Sequence, residues 1–119
     1  MGTWAAGPFG NDSSLDFVAD VLDMLMKPVD DFMESPEIDE SFDDAFAAVA
    51  LINAVIEQTP SRPYRGSDVL DGRPIREAML RCFDEHIDDL EPEPEFKKEH
   101  REALAAALDR FVALLSSDG

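Results

Sequence analysis

An all-α fold, a compact single-domain bundle of four to five helices, is what this 119-residue chain predicts. Three observations carry that expectation. Ala, Leu and Met number 14, 11 and 5, while Val, Ile and Thr together number 14, a balance that favours helices over strands. Apolar residues recur at helical spacing in several stretches, and nowhere is apolar–polar alternation sustained. With 45% hydrophobic residues and eight Phe, there is material for one core and not two, since a chain of this size buries about two-thirds of its extended surface.

The elements follow in order. Residues 1–10, MGTWAAGPFG, read as an irregular lead-in. A first helix is expected to begin near Asn11 to Ser13, whose side chains can cap free backbone N–H groups, and Ser13 with Asp16 is a variant capping box. Leu15, Val18, Val21, Leu22 and Leu25 form its apolar stripe, with Asp12, Asp16, Asp20 and Asp23 largely opposite. Lys27-Pro28 is expected to interrupt it, with a short second helix from Val29 to about Glu34. Ser41 is the expected cap of a third helix. Every residue from Ala45 to Ile52 is apolar, which predicts a helix without a polar face at the centre of the bundle; Asn53 beside it is expected to satisfy a buried hydrogen bond.

Residues 57–72, with Pro60, Pro63, Gly66 and Gly72, read as a long connection without strands, of a length that often carries function. Pro74 suits the first turn of a fourth helix, whose buried stripe is Ile75, Met79, Cys82, Phe83 and Ile87, with Leu90 near its end. Glu77 and Arg81 are spaced for an i,i+4 ion pair. EPEPE at 91–95 is a stiff spacer. A last helix is expected from about Phe96 to Leu115, with Phe96, His100, Ala103, Leu104, Ala107, Leu108, Phe111, Leu114 and Leu115 on its core face.

Charge is lopsided: 27 acids against 10 bases, a formal net of −17. That disfavours direct docking on nucleic acid or on an anionic membrane. No run approaches 18 apolar residues and the start lacks a signal-peptide pattern, so a cytoplasmic location is expected. Residues 1–61 hold 13 acids and the single base Lys27, a net of −12; residues 62–119 hold 14 acids and nine bases. The densest block comprises Asp30, Asp31, Glu34, Glu37, Asp39, Glu40, Asp43 and Asp44, with no base among them. It reads either as a solubilising face or as a docking surface for a basic partner. Arg62, Arg65, Arg73, Arg76 and Arg81 either relieve the acidic half within the molecule or, in RPYRG at 62–66, offer guanidinium forks and Tyr64 to an anion or a partner.

Chemistry-bearing patterns are sparse. One cysteine excludes an intrachain disulfide framework. Cys82 and His86 have zinc-ligand spacing, and His100 or carboxylates would have to complete the set; a core cysteine and a helix-end histidine are the alternative. There is no Glu-x-x-His, His-Glu-x-x-His, EF-hand loop, phosphate-binding glycine loop or Gly-x-Ser-x-Gly elbow. No catalytic residue and no cofactor is assigned, and an enzyme is not expected.

The N-terminus carries the most specific pattern: Met1-Gly2-x-Trp4-x-x-Gly7-Pro8-Phe9-x-Asn11-Asp12, followed by Asp16-Phe17. It resembles the opening of a family of small, acidic bacterial proteins of unknown function, which typically begin M-G-x-W-G-x-G-x-F-x-N-D; Ala5 stands here where the family has a glycine. The resemblance implies a helical fold and that Trp4, Gly7, Pro8, Phe9, Asn11 and Asp12 act as a unit, and it supplies no reaction. That unit is either a lid over the bundle or the edge of a pocket.

The leading expectation is a non-enzymatic interaction protein that binds a basic partner, inhibitor- or immunity-like. A metal or small-ligand site at Cys82, His86 and His100 is one alternative, and a structural or oligomeric subunit is the other.

Overall fold

Asn11 opens the first helix: its side-chain Oδ1 accepts from the Ser14 N–H at 2.8 Å, satisfying one of the free donors every helix start carries. In the computed structural model, which describes Pro8 and residues 11–116, that helix is α1 (Asp12–Glu34). It runs unbroken through Pro28, where an interruption and a separate short helix were expected. Proline removes one intrahelical bond, yet Val29 and Phe32 just beyond it are fully buried, and their packing holds the helix together across the gap.

The second helix, α2 (Glu40–Gln58), is capped by Asp39 and not by Ser41. Asp39 accepts from the Ser41 backbone N–H at 2.9 Å and from its hydroxyl at 2.6 Å. A two-residue antiparallel hairpin follows, β1 (Tyr64–Arg65) and β2 (Asp68–Val69), with Tyr64 opposite Val69 and Arg65 opposite Asp68. No strand was expected in the 57–72 connection. Gly66, at the first position of the turn, has φ +65° while Ser67 does not go positive, the pattern of a two-residue type II′ turn. Then come α3 (Arg73–His86), a single 3-10 turn (Ile87–Leu90) and α4 (Pro94–Ser116). Pro94 and Glu95 belong to the last helix, so the expected spacer is shorter than EPEPE.

The described chain is thus an all-α bundle of four helices with one tiny hairpin. α1 packs chiefly on α2, α2 on α4, and α3 on α4. One aromatic ring from each helix meets in a joint: Phe32 with Phe42 (centroids 5.7 Å apart), Phe42 with Phe83 (6.3 Å) and Phe83 with His100 (5.3 Å). Val18, Leu22 and Met26 of α1, Ile75, Met79 and Cys82 of α3, and Leu104, Leu108 and Phe111 of α4 fill the rest. Leu90 and Phe96 are exposed instead, and Glu77 makes no ion pair with Arg81 among the described residues.

The apolar run of α2 is only half covered. Ala45, Ala48, Val49 and Ile52 are buried, whereas Ala47, Ala50, Leu51 and Ala54 are exposed. The alanines supply helix propensity, not an all-round burial demand, and α2 is not wrapped on every side. Asn53 is buried and donates through Nδ2 to the Ala107 carbonyl at 3.0 Å, joining α2 to α4. Its Oδ1 has no hydrogen-bond partner among the described residues.

Two substitutions probe this packing. A methyl group on Gly72 would stand 3.0 to 3.1 Å from the Phe111 ring and Leu115, so Gly72→Ala should lower unfolding stability by about 1–3 kcal/mol, read as a urea midpoint shift at constant slope. At Asn53, Leu should be tolerated within about 1 kcal/mol, because it removes an orphaned acceptor, whereas Asp should cost at least about 2 kcal/mol by setting a carboxylate against a carbonyl. Equal losses for the two would contradict that account of Asn53.

Candidate functional site

α1 and α2 run antiparallel and join through residues 35–39, so the acidic block gathers at one tip of the helical hairpin. Asp30, Asp31 and Glu34 end α1, Glu37 and Asp39 lie in the connection, and Glu40, Asp43 and Asp44 begin α2. All are exposed except half-buried Asp30. Asp30 accepts from the Arg65 guanidinium of the hairpin. The Ser41 hydroxyl and then its backbone N–H hold the Asp39 carboxyl below the usual carboxylate range. Asp31, Glu34, Glu37, Glu40, Asp43 and Asp44 have no cation within 4.0 Å among the described residues.

Four cations pair with acids of the second half. Arg73 pairs with Asp71 at 3.0 Å, Arg76 with Asp109 at 2.7 Å, Lys97 with Asp88 at 2.7 Å and Arg101 with Asp84 at 2.9 Å. Only Arg65, and Arg110 on Glu57 at 3.0 Å, reach acids of the first half. The arginines of residues 62–81 therefore do little to neutralise the acidic half, against the intramolecular expectation. Of RPYRG, Tyr64 is exposed, Arg65 is engaged with Asp30, and the buried Arg62 Nε has no partner.

The acids at the end of α1 also oppose local stability. Asp30, Asp31 and Glu34 crowd the negative end of the helix dipole, and no base occupies its last turn. Asp30 and Glu34 are an i,i+4 pair of like charges. Glu40 and Asp43, at the start of α2, sit where the dipole favours them.

Along the same two helices, at the end away from the tip, lies a groove that sequence reasoning missed. Phe17, Val18, Val21 and Leu25 of α1 face Leu51, Ala54, Val55 and Gln58 of α2 across an open, almost wholly apolar concavity of about 420 Å³. Phe17 is 68% exposed and Leu51 54%. Nearer the tip, on the same two helices, is a separate, smaller and more polar hollow of about 220 Å³ lined by Met24, Lys27, Pro28, Asp31, Ser41 and Asp44. The available signal was Phe17, Met24 and Leu51, large apolar side chains lying off the core stripes of their helices.

The metal alternative loses its geometry. Cys82 and His86 border one small hollow with Arg81 and Glu85, while the ring of His100 is held among Phe42, Phe46, Phe83 and Phe96, stacked on Phe46 at 5.6 Å. No three His, Cys, Asp or Glu residues among those described are grouped as metal ligands. Burial, reinforced by the negative charges of Asp39, Glu85 and Glu37, pushes the Cys82 thiol up, opposite to what a thiolate ligand or nucleophile needs. Of the N-terminal unit, Asn11 caps α1, Asp12 lies exposed in its first turn and Pro8 is exposed; Trp4, Gly7 and Phe9 lie outside the described residues. No described helix is long and apolar enough to cross a membrane.

A family model described as a domain of unknown function (DUF4259) matches residues 2–116. The chain belongs to that family. The match reaches through all four helices of the bundle, well beyond the opening residues. No curated protein and no solved structure matches the chain.

With its raised pKa and buried sulfur, Cys82 should react with iodoacetamide at about pH 8 at least about 100-fold more slowly in the native protein than in denaturant. Rapid stoichiometric labelling of the folded protein would contradict the reading of Cys82 as an inert core residue.

Proposed function

We propose that this protein is a non-enzymatic interaction module whose acidic hairpin tip engages a basic protein partner. One observation carries the reading: Asp31, Glu34, Glu37, Glu40, Asp43 and Asp44 stand together in solvent at one end of the α1–α2 hairpin with no ion-pair partner among the described residues. Two of them, Asp31 and Glu34, load the wrong end of a helix dipole, a placement that serves folding poorly and a cationic docking surface well. Such a tip speeds encounter with a positively charged surface and fixes its orientation, an effect that fades once salt shortens the screening length. A groove that catalyses a reaction needs positioned acid, base or nucleophile groups, and the concavity between α1 and α2 is lined by apolar side chains with Gln58 and Thr59 beside them.

The test compares two variants of equal charge. Asp31→Asn, Glu34→Gln, Glu37→Gln and Asp43→Asn together remove four carboxylates from the tip; Glu91→Gln, Glu93→Gln, Glu95→Gln and Glu99→Gln remove four from the start of α4 and the segment before it. Across a panel of small basic proteins at about 20 mM and about 300 mM salt, the tip variant should lose at least about tenfold in affinity relative to the control, and the difference should shrink at the higher salt. Equal losses would leave only net charge at work and overturn the proposal.

A further inference from the structure

We infer that the groove between α1 and α2 receives an amphipathic helix of a cationic partner, its apolar stripe on Phe17 and Leu51 and its basic residues toward Asp31 and Asp44. This rests on the reading of the acidic tip as a docking surface and adds the shape of what docks. Three of the six exposed large hydrophobic side chains among the described residues, Phe17, Met24 and Leu51, line this one seam. Exposed apolar residues scattered singly mean nothing; gathered along a groove they mark a contact surface.

The dimensions fit a helix. From Phe17 to Asp31 the α1 wall rises about 21 Å, the length of a helix of about 14 residues. Two antiparallel helices leave a straight furrow between them, and a third helix fills such a furrow with residues at i, i+3, i+4 and i+7. The open shape also suits a side-chain stripe better than an enclosed small molecule.

Charge decides which helix. The furrow is apolar at the Phe17–Leu51 end and carries Asp31 and Asp44 at the other, with Asp16 and Asp20 exposed beside Phe17. Lys27 is the single base on its walls, and residues 1–61 carry a net of −12. A second copy of the chain would bring two such surfaces within the screening length of about 8 Å. An acidic helix meets the same repulsion. A stripe of leucines flanked by lysine or arginine meets apolar wall and carboxylates together.

The full-length protein and three synthetic 18-residue peptides test this. One has leucines at i, i+3, i+4 and i+7 with lysines flanking them; the second has the same composition scrambled; the third replaces lysine by glutamate. The striped lysine peptide should bind at least about tenfold more tightly than the scrambled one. Leu51→Ala with Phe17→Ala, both at exposed sites, should erase that difference without altering binding of the scrambled peptide. Equal binding of striped and scrambled lysine peptides, both lost in the tip variant, would overturn the groove and leave the acidic tip standing. Failure of both lysine peptides would remove the two together. The glutamate peptide binding as well as its lysine counterpart would overturn the charge selection. A concentration-dependent dimer abolished by Leu51→Ala with Phe17→Ala, or a Trp4→Ala with Phe9→Ala variant that binds the striped peptide at least about tenfold more tightly, would assign the groove to a second copy or to the chain's own N-terminus and overturn the proposal.

Discussion

Four rings, one from each helix, hold the bundle together at the end where its charges push it apart. Phe32, Phe42 and Phe83 are fully buried and chained through edge-to-face and tilted contacts, and His100 closes the chain from α4. Phe32 lies two residues from Glu34 and Phe42 lies one from Asp43, so the joint sits directly beneath the acidic tip. Aromatic contacts add to large apolar burial, and neither weakens in salt. Carboxylate repulsion at the tip acts through solvent and is screened. The two forces differ in kind, which lets the hairpin display uncompensated charge without opening at its turn.

His100 shows what that joint demands. Its Nδ1 is buried and makes no hydrogen bond, an expense that protein interiors rarely leave standing. The ring is the shape the site wants: stacked on Phe46 and edge-on to Phe42, Phe83 and Phe96. Packing geometry outweighs one unpartnered ring nitrogen here, and a histidine considered as a further ligand beside Cys82 and His86 works as a fourth aromatic wall. Cys82 is the parallel case on α3, where the stripe that predicted burial also predicted the inert thiol.

The helices and most of the core were legible because their apolar residues recur at helical spacing: Val18 and Leu22, Ile75 and Met79, Leu104 and Leu108 were all assignable before any coordinates. What misled were local signals that tertiary packing overrides. Pro28 is a helix breaker by its own chemistry, but Val29 and Phe32 beyond it are fixed by the core. Ser41 has the side chain of a cap, and Asp39 takes the role while Ser41 donates to it. The Ala45–Ile52 run looked wholly buried because alanine counts as apolar, yet alanine costs little when exposed, so half of that surface faces solvent. The acidic block was visible as composition. Its gathering at one tip depended on α1 and α2 turning back on each other, and the groove depended on which sides of the two helices were left over.

Those leftovers are not symmetrical between the halves of the chain. α3 and α4 carry most of the ion pairs, with Arg73, Arg76, Lys97 and Arg101 each on a nearby carboxylate, and individual surface pairs of this kind add little stability. With 14 acids and nine bases, that half carries a smaller net charge than the first. α1 and α2 hold the opposite arrangement among the described residues: acids without ion-pair partners at the tip, and Phe17, Met24 and Leu51 exposed along the seam. Either feature alone would be ordinary. Together on one hairpin they make the surface proposed here to meet a basic partner, and it rests on a second pair of helices that carries less net charge. The physical division runs between a pair of helices that support and a pair that present.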